Sequence, residues 1–342
     1  MNGLRWHCRR TAAAVSSYAF GTRAALTIIG FTCRHLLRTP IVSVFLLYPA
    51  RKEYANALAY EWHQRRFSWY PGLVGLYRQG GRYGLIFGIP NLEDHIRAEE
   101  NAPRLVELMN RMEAARASVG ASRKVFAGIL PSAFVRNGIQ NEHLAEQRHL
   151  TARAILYALD EVVTRHCLSE DVPILVLGGR GYIASEVLQL TTRRNVTSID
   201  VGEIEAFQEF ANVTRGHPTV VVNLTKSGAL SEYARDFWPG VIVLNEVYPE
   251  PSSAEIAALE TRGAICYHII GVEGDAWPPF PKAYRGGIPC CASLPISSGD
   301  PISVLVSRMS GATPNFRPLS ELPVIAATAN PSTAKRADSA IG

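Results

Sequence analysis

Residues 178–181, Gly-Gly-Arg-Gly, carry the strongest chemical signal in the chain. They follow Pro173 to Leu177 (PILVL), an apolar run of strand type, and precede a stretch of helical character from Glu186 to Arg194. In that setting Gly179-x-Gly181-x-x-Ala184 lets the backbone turn tightly and approach a pyrophosphate laid on the positive end of a helix. The expected cofactor contacts are Gly178, Gly179, Arg180, Gly181, Tyr182 and Ile183. Asp200 closes the next short strand, about twenty residues on, where a carboxylate accepts hydrogen bonds from ribose hydroxyls. That carboxylate repels a 2′-phosphate, whereas Arg180, Arg193 and Arg194 attract one, so the expected cofactor is NAD(P)H with a slight lean to NADH. A nucleotide fold that holds another ligand is the alternative.

Other candidates surround this turn. Thr225 and Ser227, in Thr-Lys-Ser-Gly after the apolar strand Thr219 to Leu224, are suited to the nicotinamide ribose or carboxamide; capping the next helix is the competing role. Glu246 and Tyr248 stand at the end of the following strand. The segment Gly271 to Leu294 is rich in proline, glycine and aromatics and ends in Cys290 and Cys291. A thiol beside a nicotinamide can take an acyl group from a thioester, and the acyl-enzyme can then be reduced by hydride. Adjacent cysteines that simply fill a core are the other reading. His268 alternates with Cys266 along one strand and is the candidate acid for a thiohemiacetal oxygen, with a core histidine as the alternative. The six cysteines form no CxxC pair and no histidine pair has ligand spacing, so no metal is expected and a reducing compartment fits best.

These residues must be positioned by alternating strands and helices. Ile41 to Tyr48, Tyr83 to Ile89 and Lys124 to Leu130 read as strands that exit at prolines, each followed by a helical stretch. The second half repeats the pattern with strands near 173–177, 197–200, 219–224, 241–246 and 264–269. The fold class is therefore α/β, with two α/β domains, the C-terminal one a Rossmann-type doubly wound parallel sheet. The expected divisions are a basic amphipathic segment at 1–40, a substrate domain at 41–150, the nucleotide domain at 151–312 and a mobile tail at 313–342. A length of 342 residues with 47% hydrophobic and 19% charged residues suits two packed cores and excludes a disordered chain.

The formal charge of +5 is concentrated at the front, where no acidic residue precedes Glu53. Arg5, Arg9, Arg10, Arg23, Arg34 and Arg38, interleaved with Trp6, Phe20, Ile28, Phe31, Leu36 and Leu37, fit an anionic bilayer surface. A domain-edge helix and a targeting segment are the alternatives. Apolar runs of about ten residues fall short of the ~20 that a spanning helix requires. The expected location is cytoplasmic with peripheral membrane contact, no nucleic-acid partner is expected, and a homo-oligomer is compatible with the chain.

The arrangement resembles the long-chain acyl-[acyl-carrier-protein] reductases and, more loosely, the group containing shikimate, amino acid and methylenetetrahydrofolate dehydrogenases. The resemblance runs from about Ser43 to Leu294, through the strand exit Val125 to Pro131, the turn Gly178 to Ser185, the loop Leu244 to Pro249, and Pro289-Cys290-Cys291-Ala292-Ser293. It implies NAD(P)H-dependent reduction of an acyl thioester, carried by acyl carrier protein or coenzyme A, to a fatty aldehyde. On that register Cys290 matches the nucleophile and Cys291 an apolar position, while Ser293 stands where the family has glutamate. The residues by themselves equally admit another nicotinamide dehydrogenase acting on a small substrate, or a non-catalytic dinucleotide-binding protein.

Overall fold

The computed structural model describes residues 2–280, 284, 286–294 and 303–311. The chain divides into two compact units, 1–154 with 270–305 and 155–269 with 306–342. From the amino terminus come α1 (Asn2–Phe20), α2 (Arg23–Phe31), a π-helical turn (Thr32–Leu36), β1 (Ile41–Leu47), α3 (Lys52–Leu58) and α4 (Glu61–Arg66). Next are β2 (Gly72–Gln79), β3 (Arg82–Gly88), α5 (Glu93–Arg97), α6 (Ala102–Val119), β4 (Arg123–Phe126), α7 (Leu130–Arg136) and α8 (Glu142–Arg165). Regular alternation follows in β5 (Ile174–Leu177), α9 (Tyr182–Leu190), β6 (Val196–Ile199), α10 (Ile204–Thr214) and β7 (Thr219–Asn223). It continues with α11 (Leu230–Tyr233), β8 (Val241–Asn245), α12 (Ser253–Thr261) and β9 (Ile265–Glu273). Three short strands complete the set: β10 (Asp275–Trp277), β11 (Gly287–Ile288) and β12 (Val304–Met309).

The first unit is built on a sheet in the order β10-β2-β3-β1-β4. β1 runs parallel to β3 and β4, while β2 is antiparallel to both β3 and β10. The three expected strands are present, but β2 and β10 add two antiparallel pairings to a sheet read as mostly parallel. The β2–β3 hairpin turns on Gly80 and Gly81, at φ 53° and 78°, with Gln79 opposite Arg82. A two-residue turn of this twist needs positive φ at both positions, which glycine supplies without strain. β4 stops at Phe126, short of Pro131, which instead occupies the first turn of α7, where its missing N–H costs nothing. Likewise Pro103 stands in the first turn of α6.

The basic N-terminal segment packs into this unit. Ala13, Ala14, Ser17 and Leu26 are buried, and the Ser17 hydroxyl donates to the Leu73 carbonyl (3.2 Å). A Cβ on Gly30 would lie 2.2 Å from the Val119 carbonyl, so glycine sets how closely α2 approaches the end of α6. Arg34 Nη2 donates to the Gly120 carbonyl at 2.6 Å. Ile28, Phe31, Leu36 and Leu37 remain exposed. Among the described residues no helix is long and apolar enough to cross a membrane.

In the second unit, β6-β5-β7-β8-β9 form a parallel sheet, β9 pairing with β8 through Ile265–His268. β5, β7 and β8 are buried along their whole length, which is why their sequences are unbroken apolar runs rather than alternating ones. From β5 the chain steps outward to β6 and then returns past β5 to β7, so the direction of winding reverses between β5 and β7. In an open parallel sheet the carboxyl ends of such a pair frame the natural ligand crevice. Residues 270–305, read from sequence as part of the second domain, cluster instead with the first unit, where Val272 and Glu273 of β9 pair with β11. The expected tail at 313–342 lies outside the described residues.

Candidate functional site at the carboxyl edge of the second sheet

The glycine turn leaves β5 at the point where the winding reverses. Gly178 has φ 89°, and a Cβ there would lie 2.9 Å from the Leu224 carbonyl at the end of β7. A Cβ on Gly179 would come within 2.7 Å of the Ser198 side chain on β6, and one on Gly181 within 2.9 Å of the Gly178 carbonyl. One glycine thus meets a backbone requirement and two permit close approach. The turn is fixed by Gly178 N–H to the Ile199 carbonyl (2.8 Å) and Gly181 N–H to the Gly178 carbonyl (2.8 Å). Gly181 is the N-cap of α9 and offers no side-chain cap. The first intrahelical donor is Ser185 N–H, to the Gly181 carbonyl (3.0 Å). The amides of Tyr182, Ile183 and Ala184 therefore precede the helical ladder and face out of the helix start, as an anion cradle requires.

Asp200 follows β6 with its carboxylate partly accessible. Its Oδ1 accepts from Val201 N–H (3.0 Å), and its Oδ2 is 3.9 Å from Arg180 Nε. Glu203 accepts from Asp200 N–H (2.8 Å) and forms an ion pair with Arg180. The Tyr233 hydroxyl pins this loop, donating to the Asp200 carbonyl and accepting from Gly202 N–H, both at 3.2 Å. Arg193 is engaged elsewhere, with Asp160 (2.6 Å). Two carboxylates against one adjacent guanidinium leave this end of the sheet edge net acidic.

A row of polar side chains, buried at Asn223, Asn245 and His268 and half-buried at Thr225, crosses from the carboxyl ends of β7 and β8 to the middle of β9. Thr225 Oγ1 donates to Asn223 Oδ1 (2.6 Å), and Asn223 Nδ2 donates to Asn245 Oδ1 (2.6 Å). Asn245 Nδ2 lies 3.0 Å from His268 Nδ1 and also donates to the Val247 carbonyl (3.1 Å). The three strand residues stand side by side in register. His268 Nδ1 also lies 3.1 Å from the Asn245 carbonyl, which only accepts, so its two contacts favour opposite tautomers of the ring. Burial lowers the His268 pKa to about 4, so the imidazole is neutral at pH 7. Its role is to close the row, and it is poorly matched to donating a proton at neutral pH.

Glu246, next to Asn245, is better matched. Its amide donates to the Asn223 carbonyl (3.1 Å), and desolvation pushes its carboxyl up to about 7. An acid raised on folding binds protons that the unfolded chain has lost, so this group lowers stability progressively from about pH 4.5 to 7 and keeps the penalty above that. Glu246→Gln is expected to raise the melting temperature at pH 8 and leave it unchanged at pH 4, read by thermal unfolding of both proteins at each pH. Equal effects at the two pH values would contradict the raised carboxyl.

Cys290 and Cys291 belong to the first unit, in a 3₁₀ turn over Cys290–Ala292. The Cys290 side chain is buried and Cys291 half-buried. The described residues that follow, through Leu294, form only this single turn. Ser293 N–H donates to the Cys290 carbonyl (3.1 Å), Arg123 Nη1 to the Ser293 carbonyl (3.0 Å), and Leu294 N–H to Gln79 Oε1 (2.7 Å). Arg123 is itself buried and paired with Glu146 at 2.9 Å. A guanidinium thus anchors the cysteine turn.

The structure brings Gly178, Gly179, Arg180, Gly181, Tyr182, Ile183, Asp200, Thr225 and His268 to one edge of the second unit. Ser227 is exposed in the loop beyond β7, and Thr225-Lys226-Ser227-Gly228 does not cap α11, whose N-cap is Ala229. Asn223, Asn245, Arg123 and Gln79 escaped the sequence reading. The available signal was an asparagine ending two successive apolar strands, in VVVN and VIVLN. Among the described residues no group of three or more His, Cys, Asp or Glu is placed to hold a metal. No protein family matches the chain, and no curated protein matches it.

Proposed function

We propose that the second unit is a Rossmann-type nucleotide-binding domain and that the protein is an NAD(P)H-dependent oxidoreductase reducing an acyl thioester to an aldehyde through an acyl-enzyme on Cys290. The observation that carries the nucleotide part is the glycine turn, which opens α9 where the strand winding reverses. The amides of Tyr182, Ile183 and Ala184 hold the diphosphate, and Asp200 takes the adenosine ribose. A bound NAD(P)H supplies the hydride that, with one proton, takes the acyl-enzyme to the aldehyde level.

The Cys290 thiolate adds to the thioester carbonyl, forms a new carbon–sulfur bond and expels the carrier or coenzyme thiol, which leaves with the proton Cys290 gave up. Release of the aldehyde breaks that bond and returns the thiolate. The net change consumes one dinucleotide and one proton and yields aldehyde, free thiol and oxidised dinucleotide, a two-electron reduction. Turnover on this reading demands that thiol and nicotinamide meet. The test is to trap the acyl adduct on the Cys290 peptide by mass spectrometry with acyl-CoA alone, then discharge it as aldehyde with NADH. Titration with NADH and NADPH, followed by nucleotide fluorescence, checks the nucleotide reading separately; saturation by neither would overturn it.

The acidic ribose end has a direct consequence. NADH is expected to bind about tenfold more tightly than NADPH, because Asp200 and Glu203 oppose a 2′-phosphate, and Asp200→Asn with Glu203→Gln is expected to erase most of that difference. Equal affinities in the parent protein would remove the role given to Asp200.

Glu246 favours a second reading, a dehydrogenase that acts on a small substrate without a covalent adduct. Its carboxyl, held near 7, follows β8 in the same unit as the glycine turn and suits proton transfer at neutral pH. Steady turnover with no adduct on Cys290 would select this reading.

A further inference from the structure

The first unit contains an apolar cavity of about 90 Å³ that opens to solvent and is lined by Ala13, Ala59, Phe67, Val74, Ile86 and Phe280, with His63 among its walls. His63, on α4, is only 4% exposed, and neither of its ring nitrogens has a hydrogen-bond partner among the described residues. The ring is held by Phe67, nearly perpendicular at 4.6 Å between centroids, and flanked by Trp62 at 5.6 Å. Two other polar residues of the wall are committed elsewhere. Ser17 donates to the Leu73 carbonyl, and the Gln64 amide donates to Asn56 and to the Ala59 carbonyl.

We propose that this cavity binds a short, uncharged aliphatic molecule bearing a hydroxyl group, its chain against the apolar walls and its hydroxyl hydrogen-bonded to His63. Buried imidazole nitrogens left unmatched cost free energy, so the site calls for a partner that is polar at one end only. Burial lowers the His63 pKa, and the neutral ring offers one N–H and one lone pair, which a hydroxyl can meet from either side. A carboxylate would be desolvated with no Lys or Arg among the described lining residues to compensate it. Water could meet His63 but would leave the apolar walls without the contacts a chain makes. At roughly 15 Å³ for each water-sized group, the space takes a chain of about six heavy atoms. The site is independent of the nucleotide reading, since its residues lie in the first unit.

The experiment titrates the full-length protein at pH 7.5 with 1-pentanol and, separately, with pentanoate, following the histidine ring ¹⁵N resonances and thermal unfolding. Saturable binding of 1-pentanol that moves the His63 resonances, with pentanoate at least about tenfold weaker, is the expected result. His63→Phe is expected to weaken 1-pentanol about fivefold, the loss of one hydrogen bond. Ala59→Leu, which fills the cavity and keeps the imidazole, should abolish saturation. Failure of 1-pentanol to saturate the folded parent protein overturns the proposal, as does equal binding of pentanoate. The comparison of the two ligands needs no variant, so a misfolded substitution leaves the test intact.

Discussion

Cys290→Ser is expected to cut aldehyde formation from an acyl thioester by about a thousandfold or more, with the affinity for NADH unchanged within about twofold. The change removes one sulfur at a buried position and little volume, so the 3₁₀ turn and its anchors from Arg123 and Gln79 should survive. What is lost is the nucleophile. A serine hydroxyl ionises far less readily than a thiol, and its ester is a poorer hydride acceptor than a thioester. Steady-state aldehyde assays beside nucleotide titration separate the two quantities, and Cys291→Ser serves as control because the neighbouring thiol has no assigned step. Retained turnover in Cys290→Ser would move the chemistry to Glu246 and to the mechanism without an adduct.

The second large effect is structural. Asn245→Leu should destabilise the protein by about 3 kcal/mol, since it strands Asn223 Nδ2 and the Val247 carbonyl and removes one side-chain contact of His268 in a buried row. For a chain of 342 residues that corresponds to a fall of roughly 4 °C in melting temperature, measurable by calorimetry. Asn223→Leu combined with Asn245→Leu should cost less than the two singles summed, because each removes the group the other leaves unpaired. Strict additivity would mean the row does not act as a unit.

The second unit was largely legible in the amino-acid order. Its strands are buried on both faces, so each announces itself as an unbroken apolar run, and the glycine turn falls between PILVL and a helix as expected. The first unit was less so. β2 reads GLVGLYRQ, with one glycine at its start, one in its interior and a charged end, and only the Gly80-Gly81 pair between it and β3 marked the hairpin. β10 is three residues long and pairs with a strand nearly two hundred positions earlier, so no local pattern could place it. Asn223 and Asn245 were invisible for a different reason. Each is an ordinary polar residue at a strand end, and only parallel register sets them and His268 abreast. The anchoring of the cysteine turn by Arg123 likewise depends on a contact across 170 positions.

The chain leaves the first unit at 154, returns at 270 and leaves again at 305. During synthesis the edge of β2 that finally receives β10 must wait while 197 residues separate Arg78 from Asp275, a delay of about 10 to 40 s at ordinary ribosomal rates. For that time Leu76 and Tyr77 sit on an open strand edge of the nascent polypeptide, the kind of surface that trigger-type chaperones shield and that neighbouring polysomes can cross-pair.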